Sequence, residues 1–276
     1  MIISDHHKLA FIHIPKCAGT SLRQLLVPFD DQTNAFEGIH ENHRWGGRID
    51  LMHIPLAQLS RHFPNAYAKV AAYRSFAVVR DPGERFVSSL AEHLRYRTGK
   101  DLTQLPYELV RRTARKLSAR LLEGAEPWRD PRLVHFQPQV DYVRHDGRQI
   151  VETLVPLEDV SRIPAMLDAR YGVATGASAL AHANRTLAGS ETRKRFGTVP
   201  FRVRVLMRLR GLGLGAPAGD AVAERLADEA AVADLVTEYY KEDGMLHASA
   251  RDAFAASLPH ATPLRTPPAL EKDAQA

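Results

Sequence analysis

Cysteine occurs once in the 276 residues, at Cys17, and tryptophan twice. One thiol excludes an intrachain disulfide and suits a reducing compartment, so the fold has to rest on its core. No run reaches the ~18 apolar residues of a spanning helix. Residues 1–8 also lack the basic region and apolar stretch of a secretion signal, and the expectation is a cytoplasmic protein. The thirteen histidines show no zinc spacing such as His-Glu-x-x-His, and no metal is expected. Acid is in deficit as well: Lys and Arg number 37 against 32 Asp and Glu, a formal charge of +5. That balance suits an anionic cofactor, and an anionic acceptor or surface. No specific nucleic-acid partner is expected.

What remains is ordinary globular material, 45% hydrophobic and 25% charged, enough for one good core. Strand-like and helical patterns alternate. Strands are predicted at 9–14, 75–80 and 150–155, and helices from 21, at 55–63, from 82 to about 96, at 102–122 and at 163–171. Residues 30–50 read as an irregular polar stretch. The alternation predicts an α/β fold, a central parallel β-sheet flanked by helices on both faces. A single domain is expected over 1–258. Residues 201–218 mix basic and apolar residues before a glycine-rich stretch. They read either as a packed surface helix with a flexible exit or as a lid or surface that touches membrane or polyanion through 201–210. Residues 259–276 hold four prolines and few large apolar residues, and a disordered tail is expected.

The most informative segment is Phe11-Ile-His-Ile-Pro-Lys-Cys-Ala-Gly-Thr-Ser21. Ile12 and Ile14 are β-branched and belong to a buried strand, Pro15 stops the ladder, and Gly19 allows close approach of the backbone to a ligand. Thr20 and Ser21 either cap the next helix or donate to an oxyanion. The helix that follows aims free N–H groups and the positive end of its dipole at the turn, and Lys16 adds a full charge. The P-loop pattern Gly-x-x-x-x-Gly-Lys-Ser/Thr is not met, because Lys16 precedes Gly19. Alone, the segment is either an anion site or a plain strand-turn-helix with a surface lysine.

A second segment, Val79-Arg-Asp-Pro-Gly-Glu-Arg-Phe-Val-Ser88, follows an apolar strand. Asp81 fits an N-cap, Pro82 the first helical position and Glu84 the third. Arg80 therefore sits at the carboxyl end of a strand, the edge where open α/β sheets collect ligands, and offers a planar fork to phosphate. Ser88 lies two helical turns on, within reach of the same group. Arg85 reads as a structural brace of that loop.

Together the two segments resemble the 5′-phosphosulfate loop and the 3′-phosphate motif of the carbohydrate sulfotransferases, the family of heparan 2-O- and chondroitin 4-O-sulfotransferases. Weaker similarities follow at His135-Phe-Gln-Pro-Gln139, Leu157-Glu158, Asn184-Arg-Thr186 and Tyr240-Lys-Glu-Asp243. The resemblance implies a P-loop-NTPase-like sheet and the co-substrate 3′-phosphoadenosine 5′-phosphosulfate (PAPS). It implies a cofactor site built from Lys16, Cys17, Ala18, Gly19, Thr20, Ser21, Arg80, Ser88, Asn184 and Thr186. The acceptor it implies is a hydroxyl of a glycan or glycoconjugate, attacked in line at sulfur.

Such a transfer needs a base for the acceptor and positive charge for the leaving phosphate. Leu-Met-His53-Ile-Pro-Leu resembles the family's Gly-His-x-x-Phe segment, whose histidine is the base, and Lys16 would stabilise charge on the bridging oxygen. His40 and His43 compete for the role of base or, with Arg44 and Trp45, line an acceptor site. His13 reads as a packed or edge histidine, and Cys17 as a small loop residue without catalytic role. A P-loop-type kinase and a non-catalytic polyanion-binding protein are the alternatives.

Overall fold

The computed structural model describes residues 1–42, 47–172 and 218–257. The expected basic insertion, the expected tail, and His43, Arg44, Trp45, Asn184 and Thr186 lie outside the described residues. In chain order the strands are β1 (Ile2–Ser4), β2 (Leu9–Ile12), β3 (Ile39–Asn42), β4 (Gly47–Asp50), β5 (Arg74–Val79), β6 (Arg144–His145), β7 (Arg148–Gln149) and β8 (Thr153–Pro156). The helices are α1 (Gly19–Leu26), α2 (Leu56–His62), α3 (Pro64–Ala72), α4 (Pro82–Thr98), α5 (Tyr107–Leu122), α6 (Val140–Val143), α7 (Ile163–Tyr171), α8 (Ala218–Ala227), α9 (Ala230–Thr237) and α10 (Lys241–Ser257).

The central sheet has four strands in the order β1-β2-β5-β8. Pairing of β2 with β5 and of β5 with β8 is parallel, Leu9 opposite Arg74 and Phe76 opposite Thr153. The expectation of a parallel sheet needs one correction, because β1 pairs antiparallel with β2, Ile2 opposite Phe11. Three residues before a tight turn carry too little periodicity to announce a strand, and hydrogen bonding to β2 is what makes them one. Every residue of β2 and β8, and of β5 beyond Arg74, is buried. Since successive side chains of a strand alternate between faces, both faces of the sheet are covered.

Two further local differences have plain causes. The polar stretch 30–50 contains a hairpin, β3 with β4, hidden from sequence because its residues are mostly exposed. The helix expected at 102–122 divides into a 3₁₀ turn at Leu102–Gln104 and α5, since Pro106 ends one and precedes the other. One apolar cluster surrounds the sheet, and a second joins α4 and α5 to α8 and α9 through Phe86, Leu90, Val110, Leu226 and Leu235. Each such buried side chain contributes roughly 1.5–3 kcal/mol. Helix α10 packs on β8 and β5 and also reaches α4.

Because β2, β5 and β8 run parallel, their carboxyl ends share one edge. The loop after β2 carries Lys16, the loop after β5 carries Arg80, and the loop after β8 carries Leu157.

Candidate active site

The loop from Pro15 to Ala18 turns sharply. Lys16 and Ala18 both adopt left-handed backbone with φ of 65° and 56°, a conformation that costs an L-residue roughly 1–2 kcal/mol. Helix α1 then begins at Gly19, with Ala18 in the N-cap position and no capping side chain. Thr20 and Ser21 are therefore first-turn residues rather than caps. The N–H groups of Gly19, Thr20 and Ser21 open the helix and have no turn before them to bond. Gly19 is required for a further reason that the sequence does not show: a β-carbon there would overlap the His13 imidazole.

The second loop is capped as expected. Asp81 accepts from the Glu84 N–H at 3.0 Å and Pro82 starts α4. The Glu84 carboxylate, however, takes the Arg80 Nε–H at 3.1 Å instead of closing a full capping box. Arg80 Nη1 also reaches the Lys16 carbonyl at 3.5 Å, tying the two loops together.

Beneath both loops lies Gln139, fully buried. Its Oε1 accepts from the Arg80 N–H at 2.9 Å and faces Cys17 Sγ at 3.4 Å, while its Nε2 donates to the Arg80 carbonyl at 2.8 Å. One amide thus sets the spacing of the two loops. Its own backbone N–H, and that of Val140, donate to Asp243 at 2.8 and 3.0 Å. Asp243 pairs in turn with Arg85 at 3.3 Å, both side chains being wholly buried. Burial pushes the Asp243 carboxyl up, and Arg85 with the two N–H groups pulls it back. Arg85 stacks on Tyr240 and donates to the His135 carbonyl. It is a brace, as expected, but of the core beneath the loop. Burial also pushes the Cys17 thiol up to about 12, so it is inert as a nucleophile at neutral pH.

Above these supports opens a cavity of about 420 Å³. Lys16, Ala18, Gly19, Thr20 and Ser21 form one wall, Arg80, Ser88 and Glu92 another, and His13, His53 and His135 a third, with Leu157 at the edge. A neighbouring cleft of about 620 Å³ shares Glu92 and His135 with it and extends past Arg48, His93 and Tyr96. Cys17 points inward to Gln139, away from the cavity. His40 lies exposed on the hairpin with Nε2 2.8 Å from the Glu37 carbonyl and is not among the lining side chains.

His53 ends a 3₁₀ turn capped by Asp50, which accepts from the Met52 N–H at 3.0 Å. Its Nδ1 lies 3.1 Å from the His13 carbonyl. A carbonyl only accepts, so Nδ1 carries the proton and Nε2 keeps a free lone pair. Burial, opposed only by this hydrogen bond, lowers the imidazole to about 3. Burial likewise holds His13 well below its ordinary value and His135 at about 3. Their rings stand 4.5 and 5.4 Å from that of His53. All three are neutral at physiological pH. The cavity's positive charge comes from Lys16, Arg80 and the start of α1.

A model of the Sulfotransferase family matches residues 1–153, more than half of the chain. The chain belongs to the sulfotransferase family. The matched stretch of this sulfotransferase runs from β1 to the start of β8 and includes both loops, His53, Glu92, His135 and Gln139. Asp243 lies beyond it. No curated protein and no solved structure matches the chain. Among the described residues, no helix of this sulfotransferase is long and apolar enough to cross a membrane, and no group of three His, Cys, Asp or Glu side chains could hold a metal ion.

Sequence reasoning missed His13, Glu92 and His135 as cavity residues and Gln139 as the support. The only available signal was that His135 and Gln139 lie in one segment similar to a family segment.

Proposed function

We propose that the protein transfers a sulfuryl group from PAPS to a hydroxyl of a glycan or glycoconjugate, on the P-loop-like sheet edge that the resemblance implies and in a cytoplasmic setting. The observation that carries the reading is a single cavity. It gathers Lys16, the unpaired first-turn N–H groups of α1, Arg80, Ser88 and the free Nε2 of His53 at the carboxyl edge of parallel strands. The donors fit a ligand with two separated phosphate groups. The start of α1 with Lys16 suits one anion, and the Arg80 fork with the Ser88 hydroxyl suits another.

PAPS supplies an activated sulfuryl group and a phosphate that leaves with the bridging oxygen. The protein supplies the rest. Lys16, aimed into the cavity, balances charge on that oxygen. The α1 N–H groups are fixed dipoles that need no reorganisation, the condition under which such stabilisation is most effective. His53 Nε2 takes the proton of the acceptor hydroxyl. The adjoining cleft past Tyr96 and Arg48 offers an aromatic face and a cation to a sugar chain.

Calorimetric titration with 3′-phosphoadenosine 5′-phosphate tests the donor assignment. Wild type is expected to bind it. Lys16→Ala and Arg80→Ala should each weaken binding by about tenfold to a hundredfold, the weight of one charge-assisted hydrogen bond. Failure of wild type to bind, or unchanged affinity in both variants, rules the donor out.

A further inference from the structure

Glu92 borders both the cavity and the neighbouring cleft, and the reaction as proposed gives it no task. It lies one helical turn past Ser88 on α4, on the same face of the helix. Its carboxylate pairs with Lys16 Nζ at 3.5 Å and with Arg95 Nη2 at 3.1 Å. Burial on its own would raise the carboxyl, but Lys16 and Arg95 outweigh it and hold it below the usual range. Glu92 is therefore an anion at neutral pH, beside the Lys16 ammonium that lines the cavity.

A phosphate placed against Lys16 meets two effects of Glu92. It competes for an ammonium already engaged, and it stands near a like charge in a partly buried site, where salt screens poorly. Both effects oppose binding and both favour departure. Arg95, itself 3.6 Å from Asp101, remains a partner of Glu92 at 3.1 Å when Lys16 turns to the donor.

We infer that Glu92 is a product-release residue, a counter-ion that Lys16 gives up when the donor binds and recovers as the spent bisphosphate leaves. The inference rests on the PAPS reading. It assigns Glu92 an unfavourable contribution to donor and product affinity, the reverse of what a bracing or ligand-binding residue would make. The adenosine bisphosphate should consequently leave the wild type faster than a cavity with this much positive charge would otherwise allow.

The test is calorimetry and stopped-flow displacement with 3′-phosphoadenosine 5′-phosphate on wild type, Glu92→Gln, Glu92→Asp and Lys16→Ala/Glu92→Gln. Glu92→Gln is expected to bind about threefold to tenfold more tightly than wild type, from one partly exposed ion pair and one like-charge contact, with the gain in a slower dissociation rate. Glu92→Asp should return toward wild type. In the Lys16→Ala background the gain should shrink, as a coupling between the two residues requires. If wild type binds and Glu92→Gln binds equally or more weakly, this inference falls and the donor assignment stands. If wild type does not bind at all, both fall.

Discussion

Replacement of His53 by alanine is expected to lower kcat with PAPS by a factor of about 10²–10⁴, the usual weight of a positioned general base, while the bisphosphate still binds. His53→Asn is the sharper variant. Its side-chain amide can still donate to the His13 carbonyl and so keep the local packing, but it cannot take a proton. A fall below about tenfold in His53→Asn would remove His53 from the role, since general-base contributions lie well above that. The pH profile separates this base from an exposed imidazole. A base works only unprotonated, and burial keeps His53 unprotonated down to about 3. The acid limb of kcat/KM, which reports the free protein, should therefore stay flat from neutral pH to about pH 5, where an ordinary imidazole would already have fallen near ~6.5. The limb of kcat reports the donor-bound state. Phosphate charge beside the ring favours imidazolium, so that limb should lie at higher pH than the first.

Asp243→Ala is expected to lower stability by about 3–5 kcal/mol, because it strands Arg85 as an uncompensated buried charge. Two further losses fall on the same residue: the N–H groups of Gln139 and Val140 lose their acceptor. In a chain of this size the midpoint of thermal unfolding should drop by on the order of 10 °C. The pair itself is not a large net stabiliser, since burial pushes the Asp243 carboxyl up against its partner's pull. Hence a double variant, Arg85→Met with Asp243→Leu, should recover the part of the loss that the stranded arginine causes, while leaving the bisphosphate weakly bound, because Gln139 loses its anchor. Thermal scans with bisphosphate titration check both halves. Equal stability of Asp243→Ala and wild type would mean that the network is not what supports the loops.

The parts of the fold that were legible in sequence are those whose signal is local. Ile12 and Pro15 mark a strand and its stop, although β2 ends at Ile12 and the expected strand residue Ile14 is buried loop, and Asp81, Pro82 and Glu84 mark a helix start, all within a few residues. The parts that were not legible depend on what comes to lie beside them. Glu92 on a polar helix turn looks like any surface carboxylate until the loop after β2 brings Lys16 to it. Gln139 has no local mark of burial, and its value lies in reaching Arg80, 59 residues earlier. His13 is the packed histidine expected, but that it also lines the cavity depends on the His53 turn, 40 residues later, folding against it.

The Arg85–Asp243 pair spans 158 residues of chain, and that separation has a consequence for synthesis. Domains form from the N-terminus as the ribosome delivers them. The nascent chain can assemble β1, β2, β5 and β8 and close both loops around the cavity before α10 exists. Until Asp243 emerges, the arginine at the centre of that half-built core has no counter-ion and Gln139 has no anchor. Helix α10 is thus the latch, and the sheet edge reaches its working spacing only once Asp243 has been delivered.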